Sequence, residues 1–398
     1  MGSKSAIGIG NGICFKQVRD KGGGSYIDPL VRDSIVGLWK FDQNTNESPT
    51  RNIIKNTIKD KGSDLELLNF GYKLNSGYGK YIEDFSLFTL SNRFEYSEIS
   101  NTKVTITAVL DNSTGIYHSV TEEDSALYWN TFKIKVSGST DDVYISYTTA
   151  KKNIRLYNGI NTVVVSNELS WHSFSASKAN TSCNITLEFV SLYEGALVTD
   201  GKDDMIVSQK TVQEMLGGSN VCTVVSMIHQ INLSADVNTS INNIRSESVA
   251  HVCARHLNTA YGKTGIFGYS KQLNTTSNPT LINNILGDKK DYIANGSSVI
   301  DTTDKYFVQG YKYNDSLYEL SEVAVYWTFI SNKVLTTDEI NQIIGYYKLD
   351  KYVTPQVIYA VKRQGLTNDT PDSDWYLKDF SKNGFDMTLY NFAKKLDS

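Results

Sequence analysis

The chain has 398 residues, with 39 basic side chains against 43 acidic, a formal net charge of −4, and 25 tyrosines beside only 5 prolines and 5 methionines. That balance supplies no basic stripe, which argues against a nucleic-acid partner, and no apolar run is long enough to cross a bilayer as a helix, so no membrane insertion is expected. Tyr, Val, Ile and Thr favour strands while Asn, Ser and Gly favour turns, so the composition predicts an all-β protein.

Residues 1–30 read differently from the rest. Glycines at Gly8, Gly10, Gly12 and Gly22 to Gly24 interrupt the few apolar residues Ile7, Ile9, Ile13 and Phe15. Such a segment buries too little surface to fold alone. It reads either as a disordered tail or as an attachment segment that orders against a partner, with Ala6 to Gly10 able to add a strand to a sheet edge. No continuous apolar stretch of signal-peptide length is present, and Ala6 breaks the myristoylation pattern. Cys14, Cys183, Cys222 and Cys253 show no CxxC spacing. They read as reduced, mostly buried thiols in a protein made in a cytosol.

From Ile35 a strand is expected, then turn chemistry at Asp60-Lys61-Gly62, then the alternating Leu65-Glu66-Leu67. Residues 101–192 hold a run of short strands: Val104 to Val109, Phe132 to Val136, Val143 to Tyr147, Ile154 to Tyr157, Thr162 to Val165 and Ile185 to Phe189. Turn signals at Gly138-Ser139, Asp141-Asp142 and Asn158-Gly159 separate them. This stretch is expected to be an inserted small β-sandwich. Strands resume at Ala196 to Val198 and continue through Val221 to Val225, Val249 to Cys253 and Glu322 to Tyr326. One helix is predicted over 337–349, because Thr336 and Glu339 have capping-box spacing and Ile340, Ile343, Ile344 and Tyr347 share one face.

After a linker at Thr354-Pro355 the sequence starts again. Ile35 to Lys40 aligns with Val357 to Lys362, Asn46 with Asn368, Pro49 with Pro371, and Gly62 to Phe70 with Gly384 to Phe392, all at one offset of 322. The period is far too long for a solenoid. It implies a whole domain followed by the opening of a second.

Several patches resemble the concanavalin A-like, laminin G-like jelly-roll family. They are Val36 to Asp42 with its Phe41-Asp42 ending, the turn and Leu-rich strand at Asp60 to Leu65, and Ala196 to Asp204. A fourth is Ser321 to Tyr326 followed by Leu335 to Ile340. Thr199 departs from the pattern, where an aromatic is usual. The resemblance covers 35–100 and 195–350. The expected organisation is therefore an anchor at 1–30, a discontinuous jelly roll at 31–100 and 193–350, the insertion at 101–192, and a linker with the beginning of a second jelly roll at 351–398. The insertion itself is broadly similar to a carbohydrate-binding module.

Tandem jelly rolls behind a glycine-rich leader resemble bacteriophage virion proteins, the tail or head fibres. That resemblance implies a non-enzymatic structural protein made in the host cytoplasm and carried on the virion. Its expected partners are other virion proteins, through residues 1–30, and a host-surface glycan; fibres of this kind are usually homotrimers. Fold alone does not fix such a role. A bacterial surface or secreted glycan-binding protein and a jelly-roll glycoside hydrolase are the alternatives.

The chemistry an enzyme would need is mostly missing. A hydrolase of this fold uses Glu-x-Asp-x-x-Glu, with two carboxylates sharing a strand face. Glu122-Glu123-Asp124 begins the pattern, but Leu127 stands where the acid belongs. His251, Cys253 and His256 are metal-ligand types, yet a zinc site would need further ligands from elsewhere. Asp200, Asp203 and Asp204 could bind calcium; the reading favoured from sequence is a tight turn capped by aspartate, since no EF-hand-like loop is present. Gly8 to Ile13 lacks the last glycine of a dinucleotide fingerprint. No catalytic residue, resident metal or cofactor is expected, and no ligand-binding residue can be picked from the sequence.

Overall fold

Strict alternation along Leu65–Leu68 buries Leu65 and Leu67 and leaves Glu66 and Leu68 half-buried, which is how a strand with one face on a core behaves. In the computed structural model such strands assemble into stacked antiparallel sheets. It describes residues 26–349, apart from 81–84, 112–113, 120–130, 165–170, 232–238, 246–250, 257–263, 286–291, 297–298, 314–315 and some single positions, and two strand pieces beyond them. The fold is an all-β sandwich, as the composition predicts. The attachment residues Ile7, Ile9, Ile13 and Phe15, and the carboxylates Glu122 and Asp124, lie outside the described residues.

A large sandwich pairs two seven-stranded sheets. The front sheet runs Thr280–Ile285, Thr264–Gln272, Val221–Gln230, Val323–Ser331, Leu197–Val198 and Gly77–Tyr78, with Ile35–Lys40 also laid along Val323–Ser331. The back sheet runs Ile53–Ile54, Leu65–Leu68, Met205–Thr211, Lys305–Gln309, Thr239–Arg245, His251–His256 and Tyr292–Asn295. Trp39, Phe41, Leu65, Ile206, Val224, Phe267, Tyr306 and Val325 form the core between them.

The strand Val323–Ser331 shows how sequence sets layers. Val323, Val325 and Ile330 face the inter-sheet core, while Trp327 and Phe329 face the opposite way, onto the helices. The parity changes at Tyr326, where the register against Val221–Gln230 slips between Met227 and Ile228. A bulge adds one residue and turns the strand's faces over.

The helix predicted at 337–349 spans Thr337–Tyr346 and has the expected capping box between Thr336 and Glu339. Sequence reading gave one helix, but the described residues hold two more. Pro29–Ser34 begins with Pro at N1 behind Asp28, whose carboxylate accepts from the Leu30 N–H at 2.8 Å. Val212–Leu216 has its own capping box, Thr211 with Glu214, and a left-handed Gly217 at φ 61°. Each is about one turn long, too short for hydrophobic periodicity to reveal, although its caps are legible.

A small sandwich is built from the middle of the chain. One sheet runs Asn153–Arg155, Ile145–Thr149, Trp171–Ala176, Thr114–Ser119 and Thr89–Leu90; the other runs Gly159–Val164, Thr131–Ser137, Thr181–Val190, Lys103–Val109 and Phe94–Ile99. Thr89–Leu90 and Phe94–Ile99 therefore belong to these sheets, although their sequence sits before the expected start at 101. Phe85, Phe88 and Phe94 fill the same core. The strands also shift from the sequence reading: Ile145–Thr149 begins two residues later than expected, and Asn158-Gly159 leads directly into Gly159–Val164. Ala196, Val198, Ile231 and Ala324 of the large sandwich pack into the small sandwich's cluster, so the two cores meet at the junction.

In the second copy only Tyr376–Leu377 and Met387–Thr388 are described. They pair antiparallel, Tyr376 with Thr388 and Leu377 with Met387. In the first copy Ile53 pairs with Glu66 and Ile54 with Leu65. The offset of 322 sets these hairpins on one another to within one residue of register.

Candidate functional site

Of the residues singled out in the sequence, the aspartates come together. Asp200 Oδ1 accepts the N–H groups of Lys202 at 2.8 Å and Asp203 at 3.3 Å, around Gly201 at φ 71°. This is the capped turn favoured from sequence. Asp204 is more than a turn residue, because it is only 1 % exposed. Its Oδ2 accepts the Asp200 N–H at 2.8 Å and its Oδ1 the Ser76 hydroxyl at 3.1 Å. Burial first, and then the charge of Asp200, push its carboxyl up to about 8. Glu322 is also buried, and its Oε1 accepts Asn75 Nδ2 at 3.3 Å. Burial raises it to about 7, Asn75 acting against that shift and Asp200 with it. One oxygen from each of Asp200, Asp203 and Asp204 lies within 4.8 Å of the others. Oxygen ligands so grouped are the kind a hard cation takes.

Thr199, the departure from the family pattern, is buried. Its N–H donates to Val323 O at 3.0 Å, and its hydroxyl accepts the Val323 N–H at 3.2 Å. The hydroxyl ties the strand end to the segment carrying Glu322, which an aromatic ring would not do.

A cleft of about 1020 Å³ opens where the two sandwiches meet, lined among others by Asp42, Asn46, Lys133, Thr162, Glu194 and Tyr326. Much of its polar lining is already committed. Asn46 exchanges hydrogen bonds with the backbone of Tyr78 at 2.8 and 3.0 Å, and Ser191 donates its hydroxyl to Gly79 O. Two of its rings are buried, Phe41 fully and Tyr78 at 9 % exposure with its hydroxyl donating to Arg51 O at 2.6 Å, and Tyr326 is half-buried.

The outer face of the small sandwich's first sheet is different. Register places Asn153 opposite Thr148, Thr148 opposite Ser173, Ser173 opposite Tyr117, and Tyr117 opposite Thr89. Directly opposed residues share a face, so one row crosses all the strands of the sheet. The next row carries Arg155, Ser146 and Ser175. The alternate residues Ile145, Tyr147, Phe174 and Ile116 fill the core. Trp171 is 38 % and Tyr117 40 % exposed, and the two are diagonal neighbours on adjacent strands. Arg155 stacks over Tyr144 at 4.1 Å and Tyr157 at 5.1 Å, and its Nη2 meets Asp141 at 2.9 Å. The face thus sets two exposed rings near the exposed Thr89 and, at the far edge, Asn153, while Ser173, Ser146 and the Thr148 hydroxyl in the same rows are buried. Sequence reading missed it because its residues come from five separate strands.

The histidines are not gathered into a metal centre among the described residues. His172 is buried, with Nδ1 at 2.9 Å from the Tyr147 hydroxyl. Burial first, and then His118, lower it to about 3. His229 Nδ1 lies 2.6 Å from Thr264 Oγ1, and burial lowers it to about 4. Cys222 and Cys253 are buried thiols and Cys183 is a half-buried one, none of them in a disulfide. His251 and His256 lie on one strand with Cys253.

No family model and no curated protein matches the chain. Solved structures that it resembles include a mutant of Trypanosoma rangeli sialidase displaying trans-sialidase activity, at 9 % identity and a TM-score of 0.27, over 63 % of this chain and 62 % of that one. Another is Trypanosoma rangeli sialidase in complex with the inhibitor DANA, at 8 % identity and a TM-score of 0.27, over 63 % of this chain and 61 % of that one. The chain therefore spans less than two thirds of either enzyme. At that level of likeness the sialidases carry no argument about activity.

Proposed function

We propose that the chain is a non-enzymatic bacteriophage fibre protein. In this reading it attaches to the particle through residues 1–30 as a homotrimer and presents its sandwiches to a glycan on the host surface. The observation that carries the adhesive part is the pair of exposed rings Trp171 and Tyr117, with the exposed Thr89 paired to Tyr117. A sugar offers an apolar C–H face and a ring of hydroxyls. Exposed aromatic rings match the first, and Ser, Thr and Asn side chains, which both donate and accept, match the second. The domain repeat at an offset of 322 and the glycine-rich leader support the fibre part.

A glycan array probed with the full chain tests the adhesive role. Trp171→Ala and Tyr117→Ala should each weaken binding at least about tenfold with the far-UV spectrum unchanged. A protein that binds no glycan, or binds one equally well in both variants, would remove this face from consideration. Deleting residues 1–30 should abolish incorporation into particles; normal incorporation would remove the anchor.

A further inference from the structure

We propose that residues 351–398, the opening of the second copy, seat directly on the helix layer of the first unit, against the side that carries Leu30 and Tyr346, with no free linker between the units. Glycan binding plays no part in this contact.

The repeat begins before the strand Ile35–Lys40. At the same offset of 322, Ile27-Asp28 aligns with Leu349-Asp350, Leu30 with Tyr352 and Val31 with Val353. In the first unit Ile27 and Val31 are buried in one cluster with Ile340, Ile343 and Ile344 of Thr337–Tyr346. Asp28 fixes the entry, since its N–H donates to Gln342 Oε1 at 2.9 Å and its carboxylate caps Pro29–Ser34. Leu349 is buried in that same cluster. Lys348 puts it there: at φ 55° it is left-handed, and its N–H donates to Gly345 O at 3.3 Å. Such a turn brings the next apolar residue back onto the helix that has just ended. The side chain that completes the first unit's core therefore aligns with the one that opens it, and the second copy starts from inside the first.

One residue, Asp350, separates Leu349 from Lys351, the counterpart of Pro29. A chain extends at most about 3.6 Å per residue, so Val353 lies within about 14 Å of Leu349. Thr354-Pro355, which reads as a linker in the sequence, falls on Arg32-Asp33 and so belongs to the second unit's entry. Pro355 would cut a copied helix short there, because it supplies no N–H. The surface beside that entry is apolar, with Leu30 75 % and Tyr346 42 % exposed. The bond from Asp28 to Gln342 and the closeness of Arg32 to Tyr346 set the two helices side by side. Tyr346 stands three residues before Leu349, where the chain leaves. The departing segment is apolar too, with Tyr352, Val353, Val357 and Ile358. Two apolar surfaces held within so short a reach bury each other.

A photo-crosslinking residue placed in the full chain at Leu30, and separately at Tyr346, tests the seat. Both positions are exposed, so neither replacement disturbs the core. Each should link to a peptide from 351–398 of its own chain. Links to residues 1–25, or links between isotopically light and heavy copies in a mixed sample, would overturn the proposal, as would no link outside the two helices. Hydroxyl-radical footprinting gives a second reading without substitution. Tyr157 and Ile160, 62 % and 60 % exposed on the small sandwich, report uncovered side chains in the same molecule. Tyr346 and Leu30 should react at least about fivefold more slowly than these, as side chains in a water-excluding interface do; equal rates would refute the contact.

Discussion

Asn242→Ala should be among the most damaging single substitutions in the large sandwich, and its cost can be worked from contacts. Asn242 is buried between the sheets, at a bulge in Thr239–Arg245, with φ at 60°. Its Oδ1 accepts the Tyr306 hydroxyl at 2.6 Å and lies 2.8 Å from the Ser226 hydroxyl. Its backbone O accepts the Tyr269 hydroxyl at 2.6 Å. Truncation removes Oδ1 but spares the Tyr269 bond. Ser226 can turn to Thr328 at 2.7 Å, and Tyr306 keeps the same Thr328 at 3.1 Å. Thr328 donates its own proton to Val225 O at 3.2 Å and can accept from both, so the cost is that of the two bonds lost at Oδ1, about 1–2 kcal/mol, offset in part by removal of the buried, unpartnered Nδ2. Alanine held in the left-handed region adds about 1 kcal/mol, for a total of about 2–3 kcal/mol. Asn242→Gly loses the same hydrogen bonds without the backbone strain, so it should be about 1 kcal/mol milder. Urea unfolding followed by far-UV circular dichroism measures both. A loss below about 1 kcal/mol in each variant would mean that the polar network contributes nothing net; equal losses would mean that the backbone there is unstrained.

Further outcomes follow from the same contacts. His172 and His229 are held neutral, so the unfolded chain binds their protons more readily than the folded one between about pH 6.5 and their lowered values near 3 and 4. Stability is therefore complete above the unfolded value and falls as pH drops, by about 2 kcal/mol per histidine at pH 5. His229→Gln should flatten its share of that slope in urea titrations at pH 7 and pH 5; an unchanged slope would contradict the assignment. Gly268→Ala would bring a methyl to 1.9 Å from Val224 O at the centre of the front sheet. A thermal midpoint within a degree or two of the native one would show that the strands can part to admit it. Thr336→Ala removes an N-cap and should cost about 1 kcal/mol by urea unfolding; no loss would mean that packing of Ile340, Ile343 and Ile344 alone holds the helix.

Local spacing along the chain settled what depends on near neighbours. Alternation at Leu65–Leu68 gave a half-buried strand, Thr336 with Glu339 gave a helix start, and Asp200 with Gly201 gave a capped turn. These signals are carried by spacings of two, three or four residues. The caps of Pro29–Ser34 and Val212–Leu216 were equally legible, but one turn shows no periodicity to draw attention to it. Tertiary structure alone decided which strands became neighbours. The row from Asn153 to Thr89 exists because the sheet places Asn153–Arg155 and Thr89–Leu90 at opposite edges of strands drawn from across the middle of the chain. Glu322 comes near Asp200 only through the pairing of Val198 with Ala324, a juxtaposition no local pattern encodes. The bulge at Tyr326 reverses which side chains of Val323–Ser331 meet the core, which alternation read from either end would place wrongly. Sequence spacing fixes a residue's direction relative to its own strand. Which surface that direction reaches is settled when distant strands pair and bury their apolar faces together.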